Sequence, residues 1–491
     1  MATGATNPYL PPRAENSPES VLPINDPSSQ QPTRVRYFVL IYSFGMSVLL
    51  YLDRFAMTVA LPEIRGELKL DNQDMGNVTS AFFYVYALAQ VPTGWMSDRW
   101  GARITLPLYV FLWSLALMGM STATGLASLI LFRSLLGLAQ AGAYPCAASN
   151  NKNWFPISRR GFANSLVAMG GRAGNLLAVT LTPYLMLLVG FLLGWTTGQW
   201  RPVFCLYGLL GLVWSIGFWL QCRDRPQQHP GCNAAERQLI EGTFTAPADS
   251  QSVGDNRPPP RGLGAGGVLR EFGEILLQIV ISPTMWLMCV ISVLVNVGWI
   301  FLVTFLPTYF REVHNVPLST IGFLAAIPTI ASMMGGLSGG VAADRFVRRY
   351  GLVWGRRMTG AIASGAAAAV YCIALAADHW LLLIALFAAI GFLIDFGLGA
   401  LWAVYQDIAG PRVAAVLGFA NMCGNLSAAY FSSAIGGFAK SGQWRTIFLI
   451  AAASLACNLV LWMFVSPNRK MTFNDCATGE GTPEPVPRRH G

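Results

Sequence analysis

Five ionisable side chains lie inside long apolar segments of this 491-residue sequence. They are Asp53, Arg54, Arg133, Arg172 and Asp395. An ionisable residue in the middle of a membrane-spanning helix costs at least about 2.5–3.5 kcal/mol, so each one must pair, reach water or bind a ligand. Three cations facing two carboxylates leave an excess of positive charge. Because arginine binds carboxylate, sulfonate or phosphate through two parallel hydrogen bonds, this excess indicates a site for an anion.

The first two of these residues are neighbours in sequence. Asp53 and Arg54 project about 100° apart on a helix, so each needs a partner on another helix or in a cavity. Asp395 lies in the middle of a later apolar segment, with Trp402 two turns beyond it. The alternative to a binding site is a set of fixed ion pairs, in which each aspartate holds one arginine and fastens two helices together.

The other two arginines have informative surroundings. Arg133 precedes Gln140 by seven residues, which places both on nearly the same helix face. Arg172 stands among small residues, Gly170 to Asn175, which would leave room for a guanidinium group or a ligand.

The elements that must position these charges are membrane-spanning helices. The chain is 54% hydrophobic and 12% charged, where soluble domains carry roughly 25% charged residues. Segments such as 380–394 contain no charge, and a helix needs ~20 apolar residues to cross a bilayer. The apolar blocks predict an all-α membrane protein with twelve spans, near 36–61, 75–96, 103–122, 126–147, 162–189, 202–221, 284–307, 319–342, 358–377, 380–406, 413–438 and 445–465.

The spans divide into two groups of six. We expect a cytoplasmic tail at 1–35, a six-helix half at 36–221, a cytoplasmic linker at 222–283 with a short amphipathic helix near its end, a second half at 284–465 and a tail at 466–491. Most of the Lys and Arg residues fall in segments that are cytoplasmic if both termini are inside, so the positive-inside rule favours that orientation. The net charge of +9 is spread over many loops, which argues against a nucleic-acid surface.

A motif follows the second span and recurs after the eighth. Its residues are Gly94, Asp98, Arg99 and Arg103 in the first copy, and Gly340, Asp344 and Arg345 in the second. The glycine allows two helices to approach closely, and the charges can bridge helix ends on the cytoplasmic side. Two copies six spans apart indicate a transporter whose halves rock about a central site, with these residues as its cytoplasmic gate.

The repeated motif resembles the loop signature GxxxDRxGRR of the major facilitator superfamily, although Ala102 replaces one arginine. From about residue 36 to 465 the chain is similar to the anion:cation symporter family within it, which includes bacterial hexuronate, galactonate and sulfoacetate carriers and animal sialic acid and vesicular glutamate transporters. The matching stretches include 51–54, 80–94, 133–140, 154–156, 171–172, 200–201, 223–226, 229–230, 305–309 and 395–425.

This resemblance implies a major facilitator fold and proton-driven uptake of an organic anion. It implies that Asp53 is a protonation site with Arg54 as its coupled neighbour, that Arg133 is an anion-binding or gating cation, and that Arg172 stands where some relatives carry a polar substrate ligand. The remaining candidate cavity residues are Tyr51, Tyr86, Trp402, Asn421 and Asn425.

One departure from the family affects the expected coupling. Sugar-acid relatives carry a glutamate seven residues after the arginine of the fourth span, whereas this chain has Gln140, which cannot titrate. We include Gln140 among the candidate substrate-binding residues. Proton coupling then uses Asp53 alone, recruits Asp395 as well, or is absent.

The resulting hypothesis is proton symport of a small organic anion, such as a sugar acid, a sulfonate or a carboxylate, by alternating access. The expected protein is monomeric, has no cofactor or metal, and spans the inner (plasma) membrane with both termini cytoplasmic. An uncoupled facilitator, an anion exchanger or a sodium-coupled carrier is the alternative. A membrane-embedded metalloenzyme is disfavoured because the four histidines form no metal motif. A sensor or scaffold would need a larger soluble domain.

Overall fold

The computed structural model describes residues 31–241, 265–316, 318–471 and 473. The predicted tails at 1–30 and 474–491 and the middle of the linker, 242–264, lie outside these residues. The N-terminal half comprises α1 Val35–Leu68, α2 Asn72–Trp100, α3 Ala102–Met120, α4 Leu126–Gln140, α5 Ala143–Trp154, α6 Arg160–Leu193 and α7 Trp200–Gln221.

Two helices of the linker are described, α8 Ala234–Glu241 and α9 Ala265–Ile281. The C-terminal half comprises α10 Pro283–Ile300, a π-helical turn Phe301–Phe305, α11 Leu306–His314, α12 Leu318–Ala374, α13 Trp380–Ile408, α14 Val413–Lys440 and α15 Trp444–Trp462.

These helices give twelve membrane crossings. Ten segments of the described chain are long and apolar enough to cross a bilayer. One of these ten segments belongs to α12, which is a pair of helices joined at Gly351, where φ is 79°, and therefore supplies two crossings. The twelfth crossing is α2, a 29-residue helix of lower hydropathy. The predicted twelve-helix fold is therefore confirmed.

Glycines set the closest helix contacts in each half. A Cβ on Gly174 of α6 would lie 2.2 Å from the carbonyl oxygen of Val48 on α1. In the C-terminal half, a Cβ on Gly335 of α12 would lie 2.0 Å from the carbonyl oxygen of Phe392 on α13. The glycines beside Arg172 thus pack α6 closely on α1, and Gly171 also lies against Tyr144 of α5.

Buried apolar side chains form a core in each half and a third cluster between them. The third cluster joins α2 and α5 of the N-terminal half to α10, α13 and α14 of the C-terminal half, and also includes α9. It lies at the end of the molecule that carries Asp98 and Asp344, which we call the DR side. Large apolar side chains such as Phe191 and Tyr430 remain exposed on the outer surface, as expected where lipid replaces water.

The linker begins by docking on the N-terminal half. Glu236 of α8 is fully buried and accepts the backbone N–H groups of Val35 and Arg36 at 3.2 Å each, as well as the Arg36 guanidinium at 3.2 Å. A carboxylate is favoured at the positive N-terminus of a helix. Glu236 thereby fixes α8 to the start of α1.

Candidate functional site

Arg54 lies in a cage of aromatic rings near the middle of α1. Its guanidinium carbon is 4.5 Å from the ring centroid of Tyr86, 4.9 Å from that of Phe82 and 5.1 Å from that of Tyr51. Its Nε and Nη2 atoms donate to Oε1 of Gln140 at 3.4 and 3.3 Å. Gln140 in turn donates to the carbonyl of Leu50 at 3.3 Å, which fixes the orientation of its amide.

Arg133 lies beside this cage. Its guanidinium carbon is 4.8 Å from the Phe82 centroid, so Phe82 contacts both arginines. Its side chain is buried, and its Nε and Nη1 atoms have no hydrogen-bond partner among the described residues. The described residues bring no carboxylate within ion-pair distance of Arg54 or Arg133. Both cations are therefore buried, and within the described part of the chain neither has a carboxylate as a direct partner.

Asp53 is fully buried and projects from another face of α1 than Arg54 does. The indole of Trp113 on α3 and the hydroxyl of Tyr207 on α7 are its polar neighbours. Neither carboxylate oxygen forms a hydrogen bond within the described chain. The alternative in which Asp53 forms a fixed pair with an arginine is not what this conformation shows.

Asp395 does form an ion pair, and its partner is Arg172. Nε and Nη2 of Arg172 donate to Oδ2 and Oδ1 of Asp395 at 3.2 and 3.1 Å. The other side of the guanidinium stacks on Trp299 of α10, 3.8 Å from the ring centroid. Because Arg172 belongs to α6 and Asp395 to α13, this pair joins the two halves.

The remaining candidate residues lie on α1, α2, α13 and α14. Tyr51 and Tyr86 contact Arg54, and Trp402 packs edge-on against Tyr144 with centroids 5.4 Å apart. Asn421 and Asn425 are half-buried on α14, where the Asn425 amide donates to the Asn421 carbonyl at 2.8 Å.

Sequence reasoning missed several residues of this region. Tyr144 contacts both Tyr51 and Trp402, and its hydroxyl is 2.5 Å from that of Ser47. Trp299 was missed as well. The available signal was a tyrosine four residues beyond Gln140 and a tryptophan near the end of an apolar span, and neither identifies a partner by itself.

On the DR side, each aspartate of the repeated motif binds the opposite half. Asp98 of α2 accepts the N–H groups of Ala414 and Ala415, at the start of α14, at 2.9 and 2.8 Å. Asp344 of α12 accepts the N–H groups of Gly161 and Phe162, at the start of α6, at 3.0 and 2.9 Å. Each carboxylate thus caps the N-terminus of a helix from the other half.

The glycines of the motif make these approaches possible. A Cβ on Gly94 would lie 2.3 Å from the Ala414 carbonyl oxygen, and one on Gly340 would lie 2.7 Å from the Gly161 carbonyl oxygen. The structure therefore places Gly94, Asp98, Gly340 and Asp344 at the contact between the halves.

The arginines of the motif behave differently from one another. Arg99 binds Glu271 of α9, and the same carboxylate accepts Nη2 of Arg412, just before α14, at 3.2 Å. Glu271 thereby connects α2 of the N-terminal half to the C-terminal half. Arg103 contributes its backbone N–H to Asp224 at 2.8 Å, and Arg345 is exposed at the surface.

Asp224, in the segment that follows α7, caps the start of α3 through this bond. Burial raises the pKa of its carboxyl, although the backbone N–H groups of Arg103 and Ala102 oppose that shift.

A buried network completes the closure of the DR side. Asp407 of α13 accepts Arg160 of α6 at 3.2 Å and Arg356 of α12 at 3.1 Å. Next to it, Asn164 donates to Gln406 at 3.0 Å. Sequence reasoning missed this network because its charges lie at the ends of spans, where a bond to water is the ordinary expectation.

The sequence profile of the Major Facilitator Superfamily matches residues 43–432. The chain belongs to the Major Facilitator Superfamily. It is 28% identical to a probable sulfoacetate transporter, SauU of Cupriavidus necator, over 92% of this chain and 98% of that protein. It is 30% identical to a D-galactonate transporter of Escherichia coli O6:H1, over 67% of this chain and 71% of that protein.

The fold agrees with solved structures of the superfamily. The proton:xylose symporter XylE, bound to 6-bromo-6-deoxy-D-glucose, superimposes with a TM-score of 0.64 over 88% of this chain and 96% of XylE, at 15% identity. As a Major Facilitator Superfamily member the protein is a multi-pass membrane transporter and not an enzyme. The similarity to sulfoacetate and galactonate transporters confirms the resemblance to the anion:cation symporter type.

Proposed function

We propose that this protein is a secondary active transporter that takes up a small organic anion together with a proton by alternating access. The observation that carries the proposal is the pair of buried arginines, Arg54 and Arg133, to which the described residues bring no carboxylate. Burying two uncompensated cations is costly, and an anion bound between the halves would offset that cost.

The relatives favour sugar acids and sulfonates as the substrate class, because sulfoacetate and D-galactonate are both small organic anions. The aromatic rings of Tyr51, Tyr86 and Trp402 would contact the carbon skeleton of such a substrate. Asn421 and Asn425 would hydrogen-bond its hydroxyl groups. No cofactor is proposed, and the coupling ion is the proton.

Asp53 is the proposed proton carrier. Its carboxylate is buried and accepts no hydrogen bond within the described chain, and binding a proton removes the cost of holding a charge there. Loss of the proton would make Asp53 an attractive partner for a nearby arginine, which would compete with the substrate. A monoanion that travels with one proton carries no net charge, so its accumulation follows the pH gradient and not the membrane potential.

The conformation supports the alternating-access part of the proposal. The hydrogen bonds and ion pairs between the halves cluster on the DR side, at Asp98, Asp344 and Asp407. We propose that the DR side faces the cytoplasm, with both termini inside and the chain in the inner membrane, so that this conformation is closed to the cytoplasm. A monomer contains both halves of the pathway and is the proposed working unit.

Uptake into proteoliposomes tests the function. We expect labelled D-galactonate or sulfoacetate to accumulate when an inward proton gradient is imposed, and to leak out when an ionophore collapses it. Equilibration without accumulation would instead identify a facilitator. A requirement for an anion on the opposite side would identify an exchanger, and a requirement for a sodium gradient would identify a sodium-coupled carrier.

The Asp53→Asn variant tests the proton carrier. Because an amide cannot exchange a proton, we expect gradient-driven accumulation to be lost, while exchange of labelled for unlabelled substrate continues. Asp378→Asn, at an exposed carboxylate between α12 and α13, is the control and should accumulate substrate as the unaltered protein does. Accumulation that persists in Asp53→Asn would reject Asp53 as the carrier.

A further inference from the structure

Arg172 and Asp395 form a bidentate ion pair between the halves, at distances of 3.1 and 3.2 Å. The pair belongs to no helix cap and lies apart from the DR side. A small cavity adjoins it, lined in part by Ser165 and Ser332 together with the pair itself. The Asp395 carboxylate thus occupies the position on the guanidinium that a carboxylate of a ligand would take.

The partner of Arg172 differs in charge from that of Arg54. Arg172 binds a carboxylate, whereas the acceptor at Arg54 is the neutral amide of Gln140. Arg54 therefore faces no internal carboxylate among the described residues, whereas Arg172 is already bound by Asp395. An internal carboxylate that binds an arginine at a ligand site acts as a competitor for any incoming anion.

Two tyrosines connect the two arginines. Tyr51 contacts the Arg54 guanidinium, and a Cβ on Gly171, next to Arg172, would lie 2.5 Å from the Tyr144 hydroxyl and 2.9 Å from the Tyr51 ring. The centroids of Tyr51 and Tyr144 are 6.2 Å apart. The Arg172 guanidinium is itself close enough to interact electrostatically with Tyr51 and Tyr144, so both arginines border this tyrosine pair.

We propose that Arg172 and Asp395 form a second anion subsite, and that the transported substrate is a dianion. One anionic group of the substrate binds Arg54, and the other displaces Asp395 from Arg172. This inference rests on the proposed function, because it names the substrate class of the same transporter.

The displaced carboxylate requires a new partner. Among the described residues, the charged group that faces Asp395 is Arg172 of α6, while Ser332 of α12 and Ser165 of α6 offer hydroxyl groups. Asp395 therefore takes up one proton from the outer solution as the second anionic group takes its place. A dianion then travels with two protons, one on Asp53 and one on Asp395, and no net charge moves.

Matched anions test the subsite in the purified full-length protein. We would measure the affinities of D-glucarate against D-gluconate, D-galactarate against D-galactonate, and sulfoacetate against 2-hydroxyethanesulfonate by titration calorimetry. The members of each pair differ in whether one end carries a second anionic group. We expect the dianion of at least one pair to bind about tenfold to a hundredfold more tightly, as for hydrogen bonds to a charged group.

The double variant Arg172→Gln/Asp395→Asn replaces the ion pair by two amides of similar size. We expect the ratio of dianion to monoanion affinity to fall to about one. Arg201→Gln is the matched control, because Arg201 also pairs with a carboxylate, Glu67 at 2.9 Å, and stacks on a tryptophan, Trp200 at 4.4 Å, but lies at the opposite end from the DR side. Its ratio should equal that of the unaltered protein.

Asp395→Asn alone tests the second proton. Because the amide cannot take up a proton, we expect one proton per dianion instead of two, so uptake should generate a current on a supported membrane. Proton-driven accumulation of a monoanion with affinity ratios near one would overturn this inference and leave the proposed function intact. Binding of none of the six anions would overturn both.

Discussion

Gln140 gives Arg54 a hydrogen-bond acceptor without giving it a counter-charge. Its amide is held in place by the bond to the Leu50 carbonyl, so Oε1 faces the guanidinium. A glutamate at this position would neutralise Arg54 and compete with the substrate. The amide therefore leaves Arg54 available to an anion at every pH at which the protein is folded.

The variant Gln140→Glu would introduce such a competitor. When the glutamate is ionised it should pair with Arg54 and weaken anion binding, and when it is protonated the competition should end. We expect the dissociation constant of the variant to fall as the pH is lowered, more steeply than that of the unaltered protein, in titrations between pH 5 and 8. Gln140→Leu removes the acceptor and adds no charge, so it should add no such pH dependence. Parallel pH profiles for Gln140→Glu and the unaltered protein would contradict this account.

The sequence predicted which side chains carry charge in the membrane, but not their partners. Arg172 and Asp395 pair because α6 of one half packs beside α13 of the other, and no local sequence pattern predicts that contact. Glycines 170, 171 and 174 were interpreted as leaving room for a guanidinium group or a ligand. In the structure they make close contacts with α1, and Gly171 also with Tyr144 of α5.

Helices α2 and α14 touch through a glycine on the DR side. Gly94→Ala would place a methyl group 2.3 Å from the Ala414 carbonyl oxygen, so the two helices must separate. We expect the variant to open the DR side more often, by on the order of tenfold, as for overpacking that costs about 1–3 kcal/mol. Cysteine labelling of DR-side positions would measure this.

Gly76→Ala provides the control in the same helix, because a Cβ there meets no atom within 4 Å. Its labelling should match that of the unaltered protein. Equal labelling of the Gly94→Ala and Gly76→Ala variants would show that the close approach of α2 and α14 does not hold the DR side shut.

Helix α9 binds both halves through Glu271, and Phe272 beside it packs edge-on against Trp95 of α2 with centroids 5.6 Å apart. We expect Glu271→Gln to shift the equilibrium toward opening on the DR side, by up to about tenfold, since Glu271 is only partly buried. Pulsed electron-electron distances between spin labels on α2 and α14 would report the shift.

Glu274 lies about one turn later on α9 and pairs with the exposed Arg270. The variant Glu274→Gln is therefore the matched control. If both variants shift the distances equally, the effect comes from the charge of α9 as a whole and not from the contact with Arg99 and Arg412.

At the scale of helices, hydrophobic periodicity and length predicted nearly every span. The structure differs from the predicted spans where the backbone departs from a regular α-helix. The π-helical turn Phe301–Phe305 and the break at Gly351 carry no distinct apolar pattern. The bonds made by α9 were not foreseen, because an amphipathic pattern predicts a membrane-facing helix and does not identify the partner of its polar face.

At the scale of the whole molecule, two equivalent caps contribute to closing the DR side, Asp98 on α14 and Asp344 on α6. If the halves rotate as rigid bodies, both caps break in the same step. We then expect Asp98→Ala and Asp344→Ala each to favour opening by about 0.5–2 kcal/mol and to add in the double variant, within about 0.5 kcal/mol.

Thermodynamic analysis of spin-label distances in the two single variants and the double variant would give this sum. A double variant that opens no further than either single variant would mean that the caps break independently, through bending within one half.

The linker is attached to the rest of the molecule at both of its described ends. Glu236 binds α8, the first helix of the linker, to α1, and Glu271 binds α9, its last helix, to both halves. Residues 242–264 therefore connect two anchored helices. A chain of that length reaches up to about 75 Å when fully extended, more than twice the thickness of the hydrocarbon core. We therefore expect the two anchors, and not the length of the segment between them, to determine how the linker affects the proposed rocking of the halves. Removal of a few of residues 242–264 should leave transport unchanged.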